Sequence, residues 1–266
     1  MYGAIIGDVA GSIYEFNNIK TKDFKLFSGG CRTTDDSIMS LAIAQAILDC
    51  EGEYAGLSEA AVKRMRDIGR LYPFCGYGGR FFHWIMDESD PAPYNSFGNG
   101  AAMRISAVGW VSQTVEEAKH LSYKVTSISH DHPEGLKGAE AVAVAMVLAR
   151  EGKSIEEIKR YEDEHYYHVG FTLDDIRETY SFDVTCQGSV PQALAAFYES
   201  EDYEDAIRNA ISLGGDSDTI AAITGAIAEA FYGVPERIRE EVRLFMDDRL
   251  IDIADRFEEK FGTKTV

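Results

Sequence analysis

Residues 213–233 read LGGDSDTIAAITGAIAEAFYG, and this stretch decides the class of fold. From residue 219 to 231 the side chains are apolar or small on nearly every face, which is typical of a helix buried in a larger protein. The alanines and glycine of this run permit close approach of neighbouring helices. Gly214 and Gly215 precede an acidic run at 216–218 and allow the backbone to turn sharply there. The stretch therefore predicts a buried helix whose N-terminus carries carboxylates.

Other segments follow the same helical period. Residues 37–49 (SIMSLAIAQAILD) and 138–151 (GAEAVAVAMVLARE) are apolar almost all round, and residues 190–198 are again rich in small side chains. Residues 235–261 open with proline and repeat apolar side chains at helical spacing. This last segment predicts an amphipathic helix, or a helix pair, that packs on the core.

The sequence gives little indication of β-structure. No two β-branched runs flank an Asn-Gly or Asp-Gly turn, and the glycine-rich positions fall between helical segments. No shift in composition marks a linker, and we find no low-complexity tract or internal repeat. We therefore predict a single all-α domain that spans residues 1–266.

The composition restricts the class of partner. The chain has 266 residues, of which 45% are hydrophobic and 27% charged, and these values are ordinary for a globular protein. Its formal net charge is −19, which argues against a basic nucleic-acid interface and against electrostatic binding to anionic membranes. A nucleotide or a modified protein bound in a local pocket remains compatible with this charge.

The cysteines and the N-terminal sequence predict a cytoplasmic protein. Cys31, Cys50, Cys75 and Cys186 are scattered, without CxxC spacing, as expected of free thiols in a reducing compartment. The first residues lack a basic segment, and Asp8 interrupts their apolar run, so a secretory signal is not expected. No stretch approaches 18 apolar residues, so no membrane span is expected either.

Two acidic motifs lie about 180 residues apart at predicted helix N-termini, TTDDS (33–37) and GGDSDT (214–219). One aspartate suffices to cap a helix, but each motif carries more oxygen acceptors than capping needs. Carboxylates and threonine hydroxyls are ligands for Mg²⁺, Mn²⁺ or Ca²⁺ rather than for structural Zn²⁺. If the fold joins the motifs, their carboxylates repel one another and need two cations, about 3.5–4 Å apart in such sites. The candidate metal ligands are Thr34, Asp35, Asp36, Asp216, Asp218 and Thr219.

A third acidic segment, residues 7–15 (GDVAGSIYE), ends at Glu15 after a short helical turn. Glu15 could reach the same pocket, or it could be an ordinary surface residue.

The run HDHP at 130–133 admits a different interpretation, because a His-Asp pair also occurs in metal-dependent HD phosphohydrolases. That chemistry needs a further metal-binding histidine upstream, and neither His83 nor His120 has a suitable context. His132 precedes a proline, which indicates a turn at a helix start and favours a capping or core role for this histidine.

Taken together, six segments resemble the ADP-ribosylglycohydrolases, the dinitrogenase-reductase-activating type of ADP-ribosyl-acceptor hydrolase. The resemblance covers roughly residues 2–235 in order, and its first and last segments are long and specific. The segments are GAIIGDVAGSIYE (3–15), TTDDS (33–37), GYGG (76–79), SFGNGAAMR (96–104), SHDHPEGLKGAEA (129–141) and LGGDSDTIAAITGAIAEAFYG (213–233).

The resemblance implies an orthogonal all-α bundle with a dinuclear Mg²⁺ centre, in which Mn²⁺ could substitute. The six candidate ligands fall on the family's metal ligands, and Glu15 falls on a flap carboxylate over the metals. Further positions match loops that hold the diphosphate and riboses of ADP-ribose. These implied substrate-binding residues are Gly78, Ser96, Phe97, Gly98, Asn99, Gly100, Met103 and His130.

The resemblance also implies hydrolysis of the bond between C1″ of ADP-ribose and a modified protein side chain, through an oxocarbenium-like transition state. Glu15 is the first candidate for activating water or protonating the leaving group, and Asp35 or Asp218 could act instead. Phe97 could stack on the substrate or pack in the core. Some arginine-specific members carry an acid at the position of Ser96, which puts arginine specificity in doubt here. We expect a monomer.

Two other functions stay open from the sequence. The substrate could be O-acetyl-ADP-ribose or an ADP-ribosylated nucleic acid, although the net charge makes a nucleic-acid partner unexpected. Alternatively, the chain could be an immunity protein that occludes an ADP-ribosyltransferase toxin, and intact acidic motifs argue against a purely non-catalytic role.

Overall fold

The computed structural model describes residues 1–89 and 92–262, and within these ranges it contains fourteen α-helices, three short 3-10 helices and no β-strand. The prediction of an all-α fold is thus confirmed. The 3-10 helices are Tyr54–Gly56, Asn99–Ala101 and Arg243–Phe245. The α-helices are α1 Tyr2–Gly11, α2 Asp35–Asp49, α3 Leu57–Gly69, α4 Gly79–Met86, α5 Ser106–Val111, α6 Val115–Thr126, α7 Pro133–Arg150, α8 Ile155–His165, α9 Leu173–Ile176, α10 Cys186–Tyr198, α11 Tyr203–Ser212, α12 Ser217–Tyr232, α13 Glu236–Val242 and α14 Asp248–Phe261.

Each helix predicted from apolar periodicity is present, and most begin earlier than the apolar run. Helix α2 begins at Asp35 with Thr34 as its N-cap, and α12 begins at Ser217 with Asp216 as its N-cap. Helix α7 begins at Pro133. The C-terminal segment forms the expected helix pair, α13 and α14. The acidic motifs therefore form the first turns of α2 and α12.

Helix α1 is the element that the sequence analysis underestimated, because only a short helical turn was expected there. All ten of its residues are buried, and α1 packs along α12. A Cβ on Gly3 or Gly7 would overlap the α12 carbonyls of Gly225 and Ala221, and one on Gly11 would lie 2.5 Å from the Cα of Asp218. Glycine at every fourth position thus permits backbone contact between the two helices.

Helix α12 lies in the centre of the molecule and packs against α1, α7, α10 and α11. One connected hydrophobic core includes buried side chains from Met1 to Phe257. The assignment of residues 1–266 to a single domain stays a prediction.

Among the described residues, none of the helices combines the length and the apolar character that crossing a bilayer requires.

Candidate functional site

The N-termini of α2 and α12 meet beside the segment that follows α1, and a pocket of about 440 Å³ opens there. The pocket wall includes carboxylates from all three segments: Glu15, Asp35, Asp36, Asp216 and Asp218. The fold thus brings together the two acidic motifs and the third acidic segment. Thr219 also lines the pocket, whereas Thr34 does not contribute to its wall.

The carboxylates form two overlapping groups that share Asp218. Oxygens of Asp8, Asp36 and Asp218 lie within 4.8 Å of one another, and so do oxygens of Glu15, Asp216 and Asp218. Like charges at this spacing in a buried site are strongly unfavourable unless protons or cations neutralise them.

The buried oxygens fit a divalent cation. Asp36 Oδ1 is buried and has no hydrogen-bond partner among the described residues, so its lone pairs are unsatisfied. A Cβ on Gly76 would lie 2.5 Å from Asp35 Oδ1, so glycine at this position leaves space beside that carboxylate. Because every donor in the cluster is a hard oxygen, Mg²⁺ or Mn²⁺ suits the site better than Zn²⁺.

The same crowding shifts the acid–base properties of the carboxylates. Burial, followed by the charge of Asp8, raises the pKa of Asp35 to about 8. Burial and then Asp216 raise the pKa of half-buried Glu15 to about 7. The pKa values of Asp36 and Asp218 also lie well above the ordinary range, first because of burial and then because of neighbouring aspartates. Without cations, several of these groups therefore hold protons at neutral pH.

Asp8 organises the start of α2, a role that the sequence analysis missed. This fully buried carboxylate accepts hydrogen bonds from the Thr34 amide (2.9 Å), the Thr34 hydroxyl (2.6 Å) and the Ser37 amide (3.1 Å), and a short one from the Ser37 hydroxyl. The proton of the Thr34 hydroxyl is thus directed at Asp8. A charged residue inside the small, apolar helix α1 was the signal in the sequence.

Asn99 holds the carboxylate of Asp216. Its side-chain amide donates to Asp216 Oδ2 at 2.6 Å and to Ser189 Oγ at 3.0 Å. The backbone N–H groups of the glycine loop around it are also partly occupied. The backbone N–H of Asn99 donates to the carbonyl of Val184, and that of Gly98 donates to the hydroxyl of Ser96. Asn99 lines the pocket, but its side-chain amide donates to Asp216 and Ser189.

The HDHP segment contributes one residue to the pocket wall and forms hydrogen bonds with neighbouring backbone. His130 is buried and lines the pocket, and Asp131 accepts a 2.6 Å bond from the Asn95 amide. His132 caps α7, with Nδ1 accepting from the Glu134 amide, so its capping role is confirmed. Within the described ranges no candidate metal cluster contains a histidine, which argues against an HD phosphohydrolase site.

The remaining predicted substrate-binding residues divide by position. Gly78, Ser96, Gly98, Gly100 and Met103 line the pocket. Phe97 lies outside its wall and is 43% exposed, with its ring 5.2 Å from that of His132, so it does not belong to the core.

The pocket wall also contains residues that the sequence analysis did not select. Arg80 follows the GYGG motif, lies over the ring of Tyr94 and donates to its carbonyl. Phe182 and Val184 add apolar surface to the wall, and Phe182 stacks on Phe16 with 6.0 Å between ring centres. Only the position of Arg80 beside GYGG offered a signal in the sequence.

Comparison with known proteins identifies the family of this chain. Residues 1–265 match the family model described as ADP-ribosylglycohydrolase. The chain is 27% identical to "ADP-ribosylhydrolase ARH3" of Homo sapiens over 311 residues, covering 88% of this chain and 84% of that protein. It is 24% identical to "ADP-ribosylarginine hydrolase Tri1" of Pseudomonas putida over 268 residues, covering 88% and 70%.

A solved structure shares the fold. The match is to an "ADP-ribosylglycohydrolase-related protein complex", with a TM-score of 0.67 and 23% identity, and it covers 92% of this chain and 93% of the other. The resemblance inferred from the six sequence segments is confirmed.

Proposed function

Because the chain belongs to the ADP-ribosylglycohydrolase family, we propose that it is a Mg²⁺-dependent hydrolase that releases ADP-ribose from a modified protein side chain. The observation that carries this proposal is the pair of overlapping carboxylate groups, whose members other than Asp8 line the pocket, with an unpartnered oxygen on Asp36. The candidate ligands are those predicted from the motifs, Thr34, Asp35, Asp36, Asp216, Asp218 and Thr219.

Two parts of the pocket would bind the diphosphate and the distal ribose of ADP-ribose, which are neighbouring parts of that molecule. The N-terminus of α4, with Gly78, Gly79 and Arg80, presents helix N–H groups and a cation, a combination that suits a diphosphate. His130 lines the same pocket. The acidic cluster would bind the distal ribose, because cations held by its carboxylates would coordinate the ribose hydroxyls.

In the proposed reaction, water attacks C1″, the bond from C1″ to the acceptor breaks, and the acceptor leaves with a proton. When bound, divalent cations would supply charge neutralisation and Lewis acidity at the ribose hydroxyls and the attacking water. Glu15 lines the pocket beside Asp216 and Asp218, where it can take a proton from the attacking water and return one to the acceptor. Asp35 and Asp218 are the alternative proton carriers.

The test is release of ADP-ribose from arginine-, serine- and acid-linked substrates, with and without Mg²⁺. Asp36→Asn and Asp218→Asn should lower activity and weaken Mg²⁺ binding together, because each removes a charged ligand. Asp252→Asn is the matched control, since Asp252 lies exposed on α14 in an ion pair with Arg256.

Full activity of both site variants at limiting Mg²⁺ would overturn the metal-ligand assignment. Release from O-acetyl-ADP-ribose alone would instead redirect the proposal to that substrate. A cytoplasmic location and a monomeric state stay predictions.

A further inference from the structure

A buried arginine, Arg104, packs against two residues of the pocket wall, Phe81 and His130, and is not among the proposed metal ligands. Arg104 is fully buried, and no carboxylate forms an ion pair with it in the described part of the chain. Its guanidinium lies over the ring of Phe81, 5.2 Å from the ring centre. Its Nε and Nη1 have no hydrogen-bond partner among the described residues. Burying an unpaired cation is costly, so this residue needs an explanation.

The polar contacts of Arg104 lead to His130. Nη2 donates to the hydroxyl of Ser129 at 2.7 Å and lies 3.4 Å from His130 Nδ1. The Ser129 hydroxyl is itself 2.9 Å from His130 Nδ1. A guanidinium can only donate hydrogen bonds, and the Ser129 hydroxyl that accepts from it can donate its own hydrogen bond to Nδ1. Nδ1 therefore faces two donors and is the unprotonated nitrogen of the ring.

The other ring nitrogen faces the pocket. Nε2 lies 3.4 Å from the position that a Cβ on Gly100 would take and 3.7 Å from the corresponding position on Gly98. Both glycines line the pocket, so the space that their missing side chains leave is open to Nε2. A neutral ring with a bare Nδ1 presents an N–H donor at this position.

The surroundings of His130 oppose a charged ring. The charged groups that act on it are both cations, Arg104 and Arg80, and the rings of Phe81 and Tyr94 pack against it. Burial, followed by these cations, holds the pKa of His130 well below its usual range.

We propose that Arg104 is a positioning residue that acts through Ser129 and His130, fixing the imidazole as the neutral Nε2–H tautomer and aiming one donor at an oxygen of bound ADP-ribose. The choice of ADP-ribose as the ligand rests on the proposed function, whereas the tautomer of His130 follows from its hydrogen-bond partners alone. The arrangement explains why an unpaired cation is buried here, because its charge keeps the neighbouring histidine neutral and oriented.

The first test is nitrogen NMR of the wild-type protein with ¹⁵N-labelled histidine, in which the His130 signals are assigned by their loss in His130→Ala. We expect a protonated Nε2 and an unprotonated Nδ1 at all pH values between about 5.5 and 8. A protonated Nδ1 in the wild-type protein would overturn the proposal. This measurement needs no activity, so it stands apart from the outcome of the substrate tests.

The second test compares Arg104→Met and Ser129→Ala, with ADP-ribose binding measured by calorimetry. We expect each change to weaken binding by about tenfold, as for loss of one oriented hydrogen bond to a charged ligand. In Arg104→Met the His130 ring should also titrate at higher pH than in the wild type. The conservative variant Arg104→Lys keeps the positive charge, so the pKa of His130 should stay lower in it than in Arg104→Met.

The same changes made in a His130→Ala background should have little further effect on binding, because Arg104 acts through the ring. Additive losses in that background would contradict the proposal. Arg150→Met is the matched control, since half-buried Arg150 lies at the opposite end of α7 and donates to the carbonyls of Gly109 and Ser112. It should leave the His130 signals unchanged. Absence of ADP-ribose binding by the wild type would count against the proposed function alone.

Discussion

At the residue scale, the pocket depends on side chains whose protonation is set by burial. Asp8 has two roles there. It belongs to one of the two carboxylate groups, and it also accepts hydrogen bonds from Thr34 and Ser37 at the start of α2. Asn99 plays a similar part for Asp216. The acidic oxygens are thus held in place by neighbours before any cation binds, which reduces the reorganisation that binding requires.

Glu15 is the residue whose chemistry can be tested most directly. We expect Glu15→Gln to lower kcat by about 10²–10⁴-fold, the usual contribution of a proton-transfer group, because glutamine keeps the size but cannot titrate. The measurement is steady-state release of ADP-ribose at pH 7. Glu116→Gln on the exposed face of α6 is the control.

A Glu15→Gln enzyme with unchanged kcat would remove Glu15 from the reaction and leave Asp35 or Asp218 as the proton carrier. A parallel melting experiment with Mg²⁺ separates this role from metal binding, because a pure proton carrier can be lost without loss of Mg²⁺-induced stabilisation.

At the element scale, the contact between α1 and α12 positions the site. The glycines of α1 permit backbone contact, and this contact sets Glu15 and Asp8 beside the N-terminus of α12. A bulkier residue in α1 would separate the helices and move the two carboxylate groups apart.

We therefore expect Gly7→Ala to destabilise the fold by about 1–3 kcal/mol or more, because its Cβ would overlap the Ala221 carbonyl, and backbone cannot move aside as a flexible side chain can. Urea unfolding measures the change. Gly29→Ala is the matched control, since no atom lies within 4 Å of a Cβ built there. Equal stability of the two variants would contradict close packing of α1 on α12.

At the scale of the whole molecule, a chain of net charge −19 buries several of its acidic residues in one cluster at the pocket. In the cation-free protein, the pKa of Asp35 is raised from its ordinary 3.8 to about 8, and that of Glu15 from 4.5 to about 7. A raised pKa in the folded state means that the fold binds more protons than the unfolded chain between these values. The resulting stabilisation is complete below about pH 4 and is lost as pH rises through 7 and 8.

Mg²⁺ should reverse this loss, because it binds the deprotonated carboxylates and competes with protons. We expect the Mg²⁺-induced rise in Tm to be larger at pH 8 than at pH 5. Thermal melting with and without MgCl₂ measures it, and NaCl at matched ionic strength corrects for general screening of the net charge. A rise that is independent of pH, or larger at pH 5, would be evidence against cation binding at the acidic cluster.

The sequence by itself determined the all-α class and the chemistry of the candidate ligands. Both are local properties, because helical periodicity is written in neighbouring residues and the preference of Asp and Thr for hard cations belongs to the side chains themselves. The resemblance of six segments to one family indicated which loops would line the pocket.

Only the tertiary structure decided which buried groups support those ligands. Asp8 meets Thr34 across 26 residues, and Asn99 meets Asp216 across 117, so no local pattern predicts either contact. The sequence predicted only a short turn where α1 lies, because its glycines disfavour an isolated helix. They become favourable only where they allow α1 to pack closely on α12. Arg104 behind His130 follows the same principle, since the role of a buried polar group depends on which distant residues packing places beside it.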